Sequence, residues 1–348
     1  MLSAFIYPII WLLIKSERIL VKVSDTFINK TITVFEGKRH REQKADKLVA
    51  QHLMPYRLTD YLQKRIRTHN IDLQTSFASA IFLRSNYSSG LELPETKINS
   101  KTDGLKFAHA LGIRTPEIYQ ENVSFREVQL IPDSVIKPDD EYSAKGVFMV
   151  KSEREILELS TGKIFNSREQ LFAHMSRLVD KTYIRKDEWI VEQMITDING
   201  NPAQDIKFNV FYGEIGWIAA IKRHPEEKVH MMDGEGNLIF SELYKKSQCF
   251  ISEGVNKEEL KLAEKISLEI PAPFIRIDFL RGSDGLYFGE FTPRPGVIGF
   301  FKRKRDHEYG QMFHDAEARL SADLIGGKSF KVFNDVTVNK FADKVNNE

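Results

Sequence analysis

The sequence predicts an α+β fold with a mostly helical N-terminal extension, from three observations. Short runs alternate apolar and polar residues and end in tight turn signals, as in Phe274 to Leu280 followed by Ser283-Asp284-Gly285 and then Leu286 to Phe291. Other stretches carry apolar residues at helical spacing behind a capping residue, as in Ser167 to Val179. At 348 residues the chain exceeds one average domain, so two or three lobes are expected.

In chain order, Met1 to Ile14 has no charged residue and is followed at once by Lys15. A spanning helix needs roughly 20 apolar residues, so this segment is too short to cross a bilayer. It reads either as a helix in the membrane interface, with Tyr7 and Trp11 at headgroup level, or as a helix buried against protein. Ser16 to His69 is helical and basic, and Lys38, Arg39, His40, Arg41, Lys44 and Lys47 are interleaved with Glu42 and Asp46. Interleaved acids favour a solvated, salt-bridged helix face over a polyanion site. Ile71 to Leu83 reads as a strand or a buried helix. Ser100 to Asp103 is a helix start, Leu105, Phe107, Ala108 and Leu111 continue it, and Gly112 stops it. Ile113 to Gln120 is extended, with Pro116 barring a central-strand position.

Ser134 to Pro138 is a strand carrying Lys137, and a polar loop from Asp139 to Gly146 leads into a second strand, Val147 to Lys151. Glu188 to Ile195 reads as a buried strand whose end could bracket a planar base. Asp197 to Pro202 is a turn cluster. Asp205 to Phe211 alternates, with Asp205, Lys207 and Asn209 on one face and Ile206, Phe208 and Val210 on the other. Gly213 to Gly216 then turns the chain into Trp217 to Lys222, and Lys257 to Leu268 is a core-facing helix.

Composition removes several classes of function. Cys249 is the single cysteine, so neither an internal disulfide framework nor a multi-cysteine metal site is available. Net charge is +1, yet residues 1–70 carry thirteen Lys/Arg against six Asp/Glu. That asymmetry points the N-terminal region at an anionic surface. Base-stacking aromatics do not accompany the basic run, which argues against nucleic acid. There is no GxGxxG, Walker A, HExxH or G-x-S-x-G sequence.

Chemistry concentrates in the hairpin from Phe274 to Gly296. Residues two apart on a strand share a face, so Arg276 pairs with Asp278 and Glu290 with Thr292. If those faces coincide, an arginine, two carboxylates and a hydroxyl make the hard-oxygen surroundings that Mg2+ on substrate phosphates requires. The alternative is a solvated strand face bearing ordinary charges.

Five segments in order change that balance: V-I-K-P at Val135 to Pro138, E-Q-M-I at Glu192 to Ile195, D-I-K-F at Asp205 to Phe208, R-I-D-F at Arg276 to Phe279, and F-G-E-F-T at Phe288 to Thr292. Together they resemble the ATP-grasp family. The last two, with the P-x-P-G that follows and Asp306 to Gly310, look most like its TupA-like, teichuronopeptide-biosynthesis branch. The resemblance implies two α+β lobes gripping ATP. Residues 131–195 would form the small lobe and 196–348 the large lobe with the metal site, behind a region 71–130 and the basic helices of 1–70. It further implies that Lys137 and Lys207 hold phosphates, with Ser143 and Lys145 as donors from the intervening loop. Glu192, Gln193, Met194 and Ile195 would receive adenine, Asp278, Glu290 and Thr292 would ligate Mg2+, and Arg276 would sit at the transferred phosphoryl group. Cations and metal around phosphoryl oxygens are what phosphoryl transfer demands of a protein.

Two departures stand out. The phosphate loop, Asp139 to Gly146, has one glycine and three acids where family members carry several small residues. Thr292 occupies a position where many ATP-grasp enzymes have asparagine.

The function expected is an ATP-dependent carboxylate–amine ligase acting through an acylphosphate, in surface-polysaccharide assembly. Its partners would be a carboxylate substrate, an amine donor and a lipid-linked or polymeric glycan. It would be cytoplasmic, peripheral on the inner face of the membrane. Arg294, Lys302 and Arg303 are the residues expected to hold an anionic sugar acid, against the alternative of an exposed basic loop. Competing classes are a kinase acting on a sugar or lipid hydroxyl and a non-catalytic scaffold.

Overall fold

The computed structural model describes residues 76–87, 92–139, 145–181, 183–223, 226–239, 244–296 and 301–337. The chain divides into Met1–Leu73 and Gln74–Glu348. The first unit, including the apolar segment 1–14 and the basic run 38–47, lies outside the described residues. Among the described residues no helix is long and apolar enough to cross a membrane.

Helix α1 (Phe77–Tyr87) decides between strand and buried helix for Phe77 to Leu83, in favour of helix, with Phe77 and Ile81 buried one turn apart, while residues 71–75 lie outside the described residues. Helix α2 (Lys101–Ala110) starts where its cap predicts: Ser100 Oγ accepts from the Asp103 amide at 3.1 Å. Gly112, at φ 71°, takes the left-handed conformation that ends it.

The first sheet has the order β1-β6-β2-β3-β4-β5, with β1 Ile118–Val123, β2 Ser134–Pro138, β3 Phe148–Ser152, β4 Glu155–Glu158, β5 Ile164–Phe165 and β6 Trp189–Gln193. Just after Pro116, β1 lies on the sheet's edge, as a proline-led strand should. Strands β4 and β5, unforeseen in the sequence, are too short for alternation to register. Helix α3 (Arg168–Asp180), capped by Ser167, packs Leu171 and Met175 against Ile136, Phe148 and Trp189.

The second sheet has the order β11-β10-β7-β8-β9, with β7 Gln204–Phe211, β8 Glu214–Lys222, β9 Lys228–Asp233, β10 Ile275–Gly282 and β11 Gly285–Thr292. Helix α4 (Lys257–Leu268) opens on a reciprocal Asn256–Glu259 capping box and packs on β7 and β8. Helix α2 packs on β11, and α5 (Arg303–Ile325) packs on α1. Phe77, Phe211, Trp217, Phe274 and Tyr309 form an aromatic cluster between these helices and the sheet. Each such ring buried contributes about 1.5–3 kcal/mol. The described part of residues 71–130 is thus shared: α1 and α2 belong to the second sheet's core, while β1 extends the first sheet.

Two expectations are corrected here. The turn placed over Gly213 to Gly216 is tighter, because Tyr212 and Gly213 both take positive φ, 41° and 92°, and close a two-residue hairpin. Gly216 lies inside β8, where a Cβ would stand 2.5 Å from the Phe211 ring. The basic run from Lys302 to Arg305 is the opening of α5 and not a loop; Tyr309, Phe313 and Ala316 anchor that helix in the core.

Candidate active site

The second sheet sets its charged residues in rows by register. Lys207 of β7, Asp278 of β10 and Glu290 of β11 are consecutive cross-strand neighbours, and Asn209, Arg276 and Thr292 form the next row. The two faces of the hairpin therefore coincide. Asp278 is buried and binds both neighbouring cations: Lys207 Nζ donates to Oδ2, while Arg276 donates from Nε to Oδ1 at 2.7 Å and from Nη2 to Oδ2 at 2.8 Å. Arg276 Nη2 also donates to Thr292 Oγ1 at 2.9 Å and lies 3.6 Å from Glu290 Oε1. Burial alone would raise the Asp278 carboxyl, but Arg276 and Lys207 outweigh it and hold the group below its ordinary range. Burial works against the Arg276 guanidinium, and Asp278 and Glu290 more than restore it.

A β-bulge makes this possible. Asp278 pairs with Glu290 but Phe279 pairs with Phe288, which leaves Gly289 as the extra residue of β11. Phe288 and Glu290 are two apart and would otherwise share a face. With the bulge, Phe288 enters the core beside Phe279 and Phe291 while Glu290 stays beside Asp278. Gly289 fits because a Cβ there would stand 3.1 Å from the Asp278 carbonyl oxygen.

The first sheet supplies the facing wall. Lys137 Nζ and Glu192 Oε1 form a buried ion pair at 2.6 Å, on β2 and β6. The second carboxylate oxygen, Glu192 Oε2, is buried with no hydrogen-bond partner among the described residues. Lys101, in the first turn of α2, donates from Nζ to the Asp139 carbonyl at 3.2 Å. Burial depresses its ammonium pKa, a loss that nearby Glu290 only partly offsets.

Between the walls lies a cavity of about 580 Å³, within the 300–1,000 Å³ usual for ligand sites. It gathers most of the expected residues: Lys137, Glu192, Gln193, Met194, Ile195, Lys207, Arg276, Asp278, Glu290, Thr292 and Arg294 all line it. Ser143 lies outside the described residues. Lys145, Lys302 and Arg303 do not line it. The Lys145 ammonium stands 5.7 Å from the Tyr183 ring centroid, and Lys302 and Arg303 are exposed at the start of α5.

Sequence reasoning missed Lys101 and Arg223. In the sequence Lys101 reads only as part of a helix start. Arg223, the residue just past β8, stands two on from Ile221 and lines the cavity with it, a spacing the alternation of the strand carries. Its guanidinium donates from Nε to Asp205 Oδ2 at 2.6 Å, and that carboxylate raises its pKa.

The donor set fits a nucleotide with Mg2+. Such a metal takes one or two carboxylates and completes its octahedron with phosphate and water oxygens. Asp278 and Glu290 are adjacent carboxylates with the Thr292 hydroxyl one row away. Among the described residues no group of three or more His, Cys, Asp or Glu is arranged to hold a metal, so phosphates would have to complete the shell. The unpartnered Glu192 Oε2 suits an amino or hydroxyl donor.

No curated protein sequence matches the chain. Among solved structures, D-alanine–D-alanine ligase from Bacillus anthracis matches with a TM-score of 0.39 and 18% identity, over 64% of this chain and 68% of that one. The ATP-grasp ligase PsnB, complexed with minimal precursor, Mg and ADP, gives 0.37 and 10% over 63% and 58%. D-cycloserine synthetase DcsG gives 0.37 and 15% over 65% and 71%. The family model for TupA-like ATPgrasp matches residues 81–314, a span that holds α2, both sheets and every cavity-lining residue, and the chain belongs to that family.

Proposed function

We propose that this protein is an ATP-dependent carboxylate–amine ligase of surface-polysaccharide assembly, joining an amine to an acidic sugar or similar carboxylate. The observation that carries this reading is the convergence of Lys207, Asp278 and Glu290 in one row, opposite Lys137 and Glu192 across a cavity of nucleotide size. Lys137, Lys207 and Lys101 hold phosphate oxygens, and the edge from Glu192 to Ile195 takes the base. Arg276 faces the transferred phosphoryl group. Asp278 and Glu290, with Thr292, would hold Mg2+, which when bound neutralises charge on the phosphoryl oxygens.

A substrate carboxylate oxygen attacks the γ-phosphorus, and the bond from that phosphorus to the β–γ bridging oxygen breaks, releasing ADP. The amine nitrogen then attacks the acyl carbon, the carbon–oxygen bond to phosphate breaks, and the nitrogen loses a proton. Activation is needed because a carboxylate is inert to amines at neutral pH. Arg294, at the cavity's rim, supplies charge for an anionic acceptor. An interfacial segment at residues 1–14 would suit a lipid-linked glycan.

Hydroxylamine trapping tests the reading. A hydroxamate that forms only with ATP and the acid substrate is expected. A stable phosphorylated product formed without amine would replace ligase with kinase.

A further inference from the structure

The phosphate loop from Asp139 to Gly146 is unusual for its acids, and the first of them has a definite place in the structure. Asp139 is buried just where β2 ends, and it does not line the nucleotide cavity. Its carboxylate meets α2 instead, with Oδ1 accepting from the Thr102 amide at 2.8 Å. The first amides of a helix have no partner within it. Ser100 satisfies that of Asp103, and Asp139, from outside the helix, satisfies that of Thr102. A negative side chain is also favoured at that end of a helix.

The backbone of Asp139 reaches the same turn. Its carbonyl accepts from the Lys101 amide at 3.4 Å and from Lys101 Nζ at 3.2 Å, while its own amide donates to the Glu188 carbonyl at 3.0 Å, just ahead of β6. One residue of the first wall therefore holds both the main chain and the ammonium of Lys101, which lines the cavity. Because α2 packs on β11, these contacts also join the two walls where the loop begins. The Lys101 ammonium lies within electrostatic reach of Glu290 on one wall and of Lys137 and Glu192 on the other. Groups around a reacting phosphate tolerate little displacement. We infer that Asp139 is a positioning residue, which fixes the first turn of α2 so that Lys101 meets the phosphates without itself touching them. The assignment rests on the nucleotide reading above. It also makes an acid at this position compatible with a triphosphate, since the carboxylate is engaged by the helix.

Calorimetry of the full chain with AMPPNP·Mg2+ tests this on Asp139→Ala, Asp139→Asn, Lys101→Met and the double variant of Asp139→Ala with Lys101→Met. Asp139→Ala should weaken binding about tenfold, the loss of one buried hydrogen bond. Asp139→Asn, whose amide oxygen can accept from Thr102, should bind within about threefold of wild type, a neutral bond being the weaker one. The double variant should bind no more weakly than Lys101→Met alone, because Asp139 acts through that ammonium. Losses that simply add, or an Asp139→Ala variant that binds as wild type does, would overturn the inference. So would tighter binding by Asp139→Asn, which would mean that the carboxylate acts on the phosphates by repulsion; that comparison decides even if Asp139→Ala does not fold. A wild-type chain that does not bind AMPPNP·Mg2+ would overturn the nucleotide reading itself, and this inference with it.

Discussion

The two walls of the large cavity hold their cations differently. On the first sheet Lys137 meets Glu192 one to one, and a carboxylate oxygen is left over. On the second sheet one carboxylate, Asp278, serves both Lys207 and Arg276, and Arg276 reaches on to Thr292 and Glu290. The first arrangement is a pair that could be removed as a unit. The second is a network in which each member holds others in place, so its parts are not separable.

Deleting Asp278 is the most severe way to break that contrast. Asp278→Ala strands Lys207 and Arg276 beside each other in a buried site, and should cost about 3–5 kcal/mol by urea denaturation. It should also abolish AMPPNP·Mg2+ binding by calorimetry. Equal losses for Asp278→Ala and Glu290→Gln would remove the distinction drawn for Asp278.

Next in size, Glu192→Gln should destabilise by about 2–4 kcal/mol by leaving Lys137 uncompensated, whereas Lys137→Met with Glu192→Leu should recover most of that loss, as apolar replacement of a whole buried pair does. Nucleotide binding should stay lost in the double variant. A double variant as unstable as the single one would show that the wall is networked too.

Gly289→Ala should cost about 1 kcal/mol, through the close approach to the Asp278 carbonyl, and should weaken Mg2+-dependent AMPPNP binding more than Mg2+-free binding.

The smallest effect is a pH dependence away from the cavity. Burial lowers the pKa of His230, whose Nδ1 accepts from the Ser252 amide at 2.9 Å. The unfolded chain therefore binds this proton more readily, so stability should be full above pH of about 6.5 and decline as pH falls below it. His230→Gln should flatten that part of a denaturation-versus-pH curve.

Much of this was legible in the sequence because strand alternation is a local property. Arg276 with Asp278, the turn at Ser283 to Gly285, and Lys207 on the face of Asp205 each follow from period-two geometry. What alternation could not reveal is register, which fixes that Asp278 stands between Lys207 and Glu290. The bulge escaped for the same reason, since strict alternation puts Phe288 and Glu290 on one face. Lys101 escaped because its place depends on how α2 packs, and the alternative of a loop over Lys302 and Arg303 arose because a basic run looks alike in a loop and at a helix start.

The extra residue at Gly289 has a practical consequence for anyone altering this hairpin. Upstream of it the odd and even positions of β11 have one set of duties, and downstream they exchange them. A deletion there would swing a phenylalanine toward solvent or a glutamate into hydrocarbon, so shortening the strand by one residue should be far less tolerated than trimming the tip at Asp284.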